Sequence, residues 1–285
     1  MITGAAKVRL APGVQQFGSL RGRSYGELRK TGDGRREAAR CILGVPALSL
    51  LLTILTRAAA IVRDEVVREP LSRSVEDYLK IIYRLSEDGR PASTSQIAEA
   101  LSLAPPSVSG MVKRLSELGL LTHEPYRGAT LTAEGRHEAV RVIRRHRLIE
   151  AYLVGFLSYT WDSVHQEAER LEHAVSDELV ERMAAALGYP TVDPHGDPIP
   201  DADGAVARPK LTPLADVLAG DNVEIRRVDT SDAERLRYLA GAGLVLGARV
   251  RVTEREPFSG PITVEVSGRS QVLAFDLAKL VYCAT

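Results

Sequence analysis

The stretch from Ser72 to Thr132 constrains the fold more than any other, because three helical patterns and one strand pair follow one another with almost nothing between them. In SRSVEDYLKIIYRLSEDGR the apolar residues Val75, Tyr78, Leu79, Ile82 and Leu85 recur at helical spacing, and Gly89 and Pro91 end the pattern. STSQIAEALSL predicts a short second helix, with Ser93 or Thr94 as its cap ahead of Gln96. APPSVSGMVKRLSELGL predicts a third, opening on proline and a serine-rich turn and closing at Gly119. LLTHEPYRGATLT then reads as two β-like runs around Tyr126-Arg127-Gly128, a small hairpin. Three helices and a hairpin predict a winged helix-turn-helix. In that arrangement Pro106, Ser107, Ser109 and Gly110 enter the major groove of double-stranded DNA, while Lys113, Arg114 and the wing's Arg127 meet phosphates. Side chains this small at the reading tip leave much of the specificity to DNA shape.

Beyond this module the charged residues are arranged for another purpose. In VHQEAERLEHAVSDE each helical residue turns by about 100°, so His165, Glu169, Glu172 and His173 fall on one face. Val164, Ala168, Leu171 and Val175 form an apolar stripe beside them, which gives the helix a core to lie against. The long pattern AEGRHEAVRVIRRHRLIEAYLVGFL carries a second pair, His146 and Glu150, at i and i+4. Either group alone reads as a solvated face. Imidazoles and carboxylates on two neighbouring helices have the donor types and spacing of a metal site.

Composition sets limits on the function. Lys plus Arg equals Asp plus Glu, at 37 each, so net charge does not identify a nucleic-acid binder. Cys41 and Cys283, far apart, make no disulfide framework or thiolate zinc site and fit a reducing cytoplasm. The apolar run CILGVPALSLLLTILTRAAAIV approaches membrane-spanning length, but Pro46 and Arg57 interrupt it. Residues 1–71 are accordingly read as an N-terminal extension, poorly ordered or assigned from an upstream start, with no membrane partner. The winged helix is expected over 72–135, a metal-binding and dimerisation domain over 136–200, a linker over 201–212 and a small β domain over 213–285. In the boundary segment DPHGDPIPDADG, Asp193, His195 and Asp197 are read as turn residues rather than ligands, because Pro and Gly are so dense there.

SVEDYLKIIYRL, RRHRLIEAYL, VHQEAERLEHAVSDELVERM and DPHGDPIP, in that order, resemble the diphtheria toxin repressor family of metal-activated transcription factors. The resemblance runs from about residue 72 to 200 and implies a mainly α protein acting as a homodimer on palindromic operators of metal-uptake genes. It implies two metal sites per subunit. The primary site takes Asp77, Glu169, Glu172 and His173; the ancillary site takes His146, Glu150 and His165, completed from the C-terminal domain by Asp232, with Asp229 next in line. The iron-sensing branch has Met at the place of Asp77 and Cys at that of Glu169. Their replacement by carboxylates resembles the manganese-responsive branch and points to Mn²⁺, with Fe²⁺ the alternative cofactor. A two-domain manganese repressor carries a further Glu one turn beyond the Asp77 position; here that place holds Lys80.

From Leu214 onward, NVEIRRV, ARVRVTERE, ITVEVSG, QVLAF and KLVYC predict short strands around LRYLAGAGLVLGA, and GARVRV with EPFSGPITVEVSG resembles an SH3-like barrel of the FeoA type. A metal hydrolase is the rival function. It needs HExxH or its inverse, and Glu169-Arg-Leu-Glu172-His173 and His165-Gln-Glu-Ala-Glu169 each lack a ligand. The chain is therefore read as a regulator and not an enzyme.

Overall fold

The computed structural model describes residues 71–87, 89–124 and 126–284. The N-terminal extension, including the apolar run at 41–62, lies outside the described residues. No helix among those described is long and apolar enough to cross a membrane.

Helices α1 (Arg73–Leu85), α2 (Thr94–Leu101) and α3 (Pro105–Glu117) lead into the hairpin β1 (Leu121–Glu124) and β2 (Gly128–Leu131), paired Leu121 to Leu131 and Glu124 to Gly128. Ser93 starts α2 through a reciprocal cap: its hydroxyl accepts from the Gln96 N–H, and its own N–H donates to the Gln96 side chain. Val75, Leu79, Ile82, Ile97, Val108 and Leu115 interlock as the core of this module. The expected winged helix is present.

Helix α4 (Ala133–Leu157) is the spine of the molecule, about 37 Å long at 1.5 Å per residue. Thr132 caps it, accepting from the Gly135 N–H while donating to the Gly119 carbonyl, which ties it to the end of α3. Its first half contributes Ala139, Val140 and Ile143 to the winged-helix core. Its second half turns Ile149 and Leu153 against Val164 and Ala168 of α5 (Val164–Leu171), and Leu148 against Val180 and Ala184 of α6 (Asp177–Ala186). One rigid element thus couples the DNA module to the helices that follow.

The C-terminal domain is a six-stranded antiparallel sheet in the order β3-β8-β4-β5-β6-β7. Its strands are β3 (Thr212–Pro213), β4 (Asn222–Val228), β5 (Arg249–Arg255), β6 (Ile262–Val266), β7 (Arg269–Leu273) and β8 (Val281–Ala284). Helices α7 (Ala233–Gly241) and α8 (Phe275–Ala278) complete it. Leu214, Ile225, Leu236, Leu239, Val252, Val264 and Leu273 fill its core. The expectation of a closed barrel is corrected in one respect: β3 and β7 remain the outer strands, and the sheet is open.

The join between this domain and the helices is tight. The Val228 N–H donates to the His195 carbonyl at 2.8 Å, and Arg237 meets Asp162 at 3.2 Å. Gly196 has φ +85°, and a Cβ there would lie 2.0 Å from the Arg226 carbonyl oxygen, so only glycine allows β4 to approach this closely.

Candidate metal centre

Asp77 comes from α1, and Glu169, Glu172 and His173 come from α5 and the turn after it, so the primary set spans the DNA module and the helical domain. The helix ends at Leu171, earlier than the sequence pattern implies, and Glu172 and His173 lie where the chain turns back. The apolar stripe is placed as expected, with Val164 and Ala168 fully buried.

Asp77, Glu172 and His173 bring one donor atom each within 4.8 Å of one another. His173 Nδ1 pairs with Glu76 Oε2 at 2.6 Å, which orients the ring. Its Nε2 is buried and has no hydrogen-bond partner among the described residues, although Asp77 Oδ1 lies 2.9 Å away and Glu172 Oε1 3.2 Å. These oxygens flank the nitrogen without hydrogen-bond geometry. An orphaned imidazole lone pair between two carboxylate oxygens fits a divalent cation. Burial raises the Asp77 pKa from its ordinary value, against the pull of His173 and Lys80.

Glu172 is the hinge of the arrangement. Fully buried, it accepts from Lys80 Nζ on Oε1 at 2.5 Å and pairs with His146 Nδ1 through Oε2 at 2.5 Å. Burial opposes its charge, yet the His146 and Lys80 contacts overcome this and hold its pKa near 2. Glu169 takes the same ammonium at 2.7 Å. Behind them Arg145 donates to the Glu172 carbonyl at 2.9 Å and reaches Glu76 and Asp177. The role of Glu76 and Arg145 in orienting this set has no signature in the sequence beyond adjacency to Asp77 and His146.

The ancillary set adjoins it. His146 Nε2 lies 3.0 Å from Glu150 Oε1 and 3.1 Å from His165 Nδ1, and that His165 nitrogen lies 3.0 Å from the same Glu150 oxygen. Burial works against charge on His146, but the hydrogen bonds of Glu150 and Glu172 lift its pKa to about 9. Burial likewise opposes charge on Glu150, and its histidine partners hold its pKa well below the usual range. Since His146 contacts both Glu150 and Glu172, the two predicted sites form one continuous buried seam.

The structure gives the expected C-terminal contributor, Asp232, a local role. Asp232 is exposed, and its Oδ1 accepts the N–H groups of Glu234 and Arg235 at 2.9 Å each, so it caps α7. Asp229 lines a cavity of about 720 Å³ that also contains His146, Glu150 and His165, but it belongs to no ligand cluster among the described residues. The residues that do join Glu150 are Asp193 and His195, read from the sequence as turn residues only. The segment is a turn, and it also faces Glu150. Asp193 Oδ1 accepts the N–H groups of His195 and Asp197, and that turn aims His195 Nδ1 to 3.6 Å from Glu150 Oε2. His195 Nε2 donates to the Trp161 carbonyl at 2.7 Å, and the two rings stack. Burial pushes the Asp193 carboxyl up to about 7, with Asp197 and Glu150 adding to it.

On the DNA module, Pro106, Ser107, Ser109, Gly110, Lys113 and Arg114 are exposed along one end of α3, while Val108 and Val112 point inward. Arg127 is exposed on the wing, 3.1 Å from Glu124.

A winged helix coupled through a buried imidazole–carboxylate seam to a small β domain defines a metal-responsive DNA-binding regulator. Three family descriptions match in order: the N-terminal DNA-binding domain of iron-dependent repressors over residues 70–129, their metal-binding and dimerisation domain over 132–201, and a FeoA domain over 212–285. The iron-dependent repressor IdeR of Mycobacterium leprae is 35% identical over 211 residues, 70% of this chain and 91% of that protein. Among solved structures, a manganese-dependent transcriptional repressor in complex with manganese is 40% identical, with TM-score 0.69 over 74% of this chain and 99% of that one. The manganese regulator SloR is 39% identical, with TM-score 0.63 over 74% and 98%. The chain belongs to the diphtheria toxin repressor family of metal-dependent transcriptional repressors. Its relatives are repressors rather than enzymes, and the hydrolase reading falls.

Proposed function

We propose that this chain is a manganese-activated repressor that binds palindromic operators of metal-uptake genes as a homodimer in the cytoplasm. The primary ligands are Asp77, Glu169, Glu172 and His173; the ancillary ligands are His146, Glu150 and His165, with His195 in the place expected of Asp232. The observation that carries the choice of metal is the donor chemistry: Asp77, Glu172 and His173 bring two carboxylates and one imidazole together, Glu169 adjoins them beside Glu172 and His146, and no sulfur takes part, which suits Mn²⁺. The solved relatives named for manganese support it. Iron is the second reading, favoured by the relatives named for iron and by the higher intrinsic affinity of Fe²⁺ for such ligands.

The bound metal would supply a charge that links α1 to the α5 turn. Because Asp77 lies on the first helix of the DNA module, the link holds the reading head against the spine, and its loss lets the head move and weakens operator binding. A coupling of about 1–3 kcal/mol would change DNA affinity roughly 5- to 150-fold. Pro106, Ser107, Ser109 and Gly110 face the groove; Lys113, Arg114 and Arg127 meet phosphates. Phe156, Leu157 and Leu179, exposed at the end of α4 and on α6, offer the apolar surface a dimer needs. The modules are 72–135, 136–200 and 213–285, joined by 201–212 and preceded by an extension over 1–71.

The test is retention of genomic DNA fragments by chelator-stripped protein, without metal and with Mn²⁺, anaerobic Fe²⁺ or Zn²⁺. Retention that needs Mn²⁺ and disappears in Asp77→Ala is expected. Equal retention with and without metal would end the sensor reading, and retention with Fe²⁺ alone would transfer it to iron.

A further inference from the structure

Within the seam one cation is already in place. Lys80 is only 3% exposed, and its ammonium lies 2.7 Å from Glu169 Oε1 and 2.5 Å from Glu172 Oε1. It stands on α1 three residues after Asp77, so the two side chains share a helix face and reach the same cluster. We propose that Lys80 is a permanently tethered second cation of this cluster, and that it restricts the Asp77–Glu169–Glu172–His173 group to a single divalent ion.

The geometry divides the group into two ends. At the Glu169–Glu172 end, one oxygen of each carboxylate is engaged by the ammonium, and the other Glu172 oxygen by His146. At the Asp77 end, the carboxylate lies 3.9 Å from exposed Arg73 without direct contact to the ammonium, and His173 Nε2 has no hydrogen-bond partner among the described residues. A first divalent ion finds its donors in Asp77, His173 and Glu172 Oε1, sharing that last oxygen with the ammonium. A second would have to expel a buried ammonium from the two oxygens it needs, and the alkyl stem keeps that ammonium beside them at high effective concentration. Lys80 also joins α1 to the α5 turn by the same route that Asp77 uses. Part of the contact between the reading head and the helical domain therefore persists without metal.

This inference rests on the proposed metal-sensing role, and the experiment separates the two. Full-length protein is chelator-treated and then equilibrated with Mn²⁺, and bound metal per protomer is measured by atomic emission for the wild type, Lys80→Glu, Lys80→Met and Asp77→Ala. Lys80→Glu, which exchanges the ammonium for another ligand, is expected to hold one more Mn²⁺ than the wild type. Asp77→Ala is expected to hold one fewer. Lys80→Met removes the cation without adding a ligand; it is expected to tighten Mn²⁺ binding at least roughly tenfold and to lower the melting temperature of the metal-free protein, with recovery on Mn²⁺ addition. A folded Lys80→Glu with wild-type metal content overturns the proposal. If that variant fails to fold, an unchanged Mn²⁺ Kd in Lys80→Met overturns it instead. No loss of Mn²⁺ in Asp77→Ala would remove the primary site and the sensor reading with it.

Discussion

The two ends of the buried seam solve one electrostatic problem with different cations. Around Glu172 the carboxylates are balanced by Lys80 and by His146. Around Glu150, 1% exposed, the balancing partners are imidazoles, His146, His165 and His195, with the Asp193 carboxyl beside them. The first end is rich in oxygen donors and carries a fixed charge that cannot leave. The second is rich in nitrogen donors whose charge is a proton, and a proton can be exchanged for a metal. By ligand chemistry alone, the two ends differ in the ions they favour and in how pH affects their filling.

The comparison is broken most severely at Glu172. Glu172→Ala leaves the Lys80 ammonium and the His146 imidazolium buried with one partner fewer, and a buried pair cut on one side costs about 3–5 kcal/mol. Thermal unfolding of the metal-free protein should show a large fall in Tm; an unchanged Tm would mean that water enters the seam and screens it.

Next comes the tie between the Glu150 end and the β domain. Gly196→Ala forces a side chain onto the Arg226 carbonyl at a left-handed φ, and the conformational strain alone is about 1–3 kcal/mol. We expect lower stability together with weaker metal binding at the ancillary site, because His195 is displaced, while metal binding through Asp77 persists. Calorimetric titration resolving two classes of site would check this, and an equal loss at both would show that the ends are not independent.

A smaller and graded effect comes from pH. The His146 pKa is raised from 6.5 to about 9 by its carboxylate partners, so protonation stabilises the metal-free fold. That contribution is complete below about 6.5 and is lost as pH rises through about 9. A metal needs the neutral ring, so ancillary affinity should climb by up to about tenfold per pH unit while metal-free stability falls over the same window. A flat affinity between pH 7 and 9 would show that His146 is not a ligand.

The mildest change concerns Asp232. Asp232→Ala removes the cap of α7 and should lower the melting temperature of the β domain slightly, with metal content unchanged. Loss of one metal equivalent would restore Asp232 as a ligand.

How much of this could be read from the chain alone depended on the range of the interactions. The winged helix was legible because spacing, caps and breakers are local: Ser93 and Gln96 form the reciprocal cap, and the α3 residues expected to face DNA are exposed. The pairing of His146 with Glu150 is legible because i, i+4 spacing puts them on one face. His195 reads as a turn residue because Pro and Gly density marks a turn, and it is a turn. What the pattern cannot show is that the Asp193 turn aims the ring back across more than 40 residues at Glu150. From the sequence Lys80 stands out only as a missing carboxylate, since its partners lie 89 and 92 residues away. Asp232 is the opposite case: its local role as a helix cap is the simpler reading, and the structure shows that cap.

Trp161, the single tryptophan of the chain, stacks on His195 with ring centroids 6.2 Å apart. One of the rings at the Glu150 end of the seam is therefore next to the molecule's one indole fluorophore. A protonated imidazole quenches indole emission more strongly than a neutral one, so any event that changes the charge of His195 also changes the light the protein emits. Filling of that end, release of its proton and loosening of the β domain can then be followed in real time on the unlabelled protein.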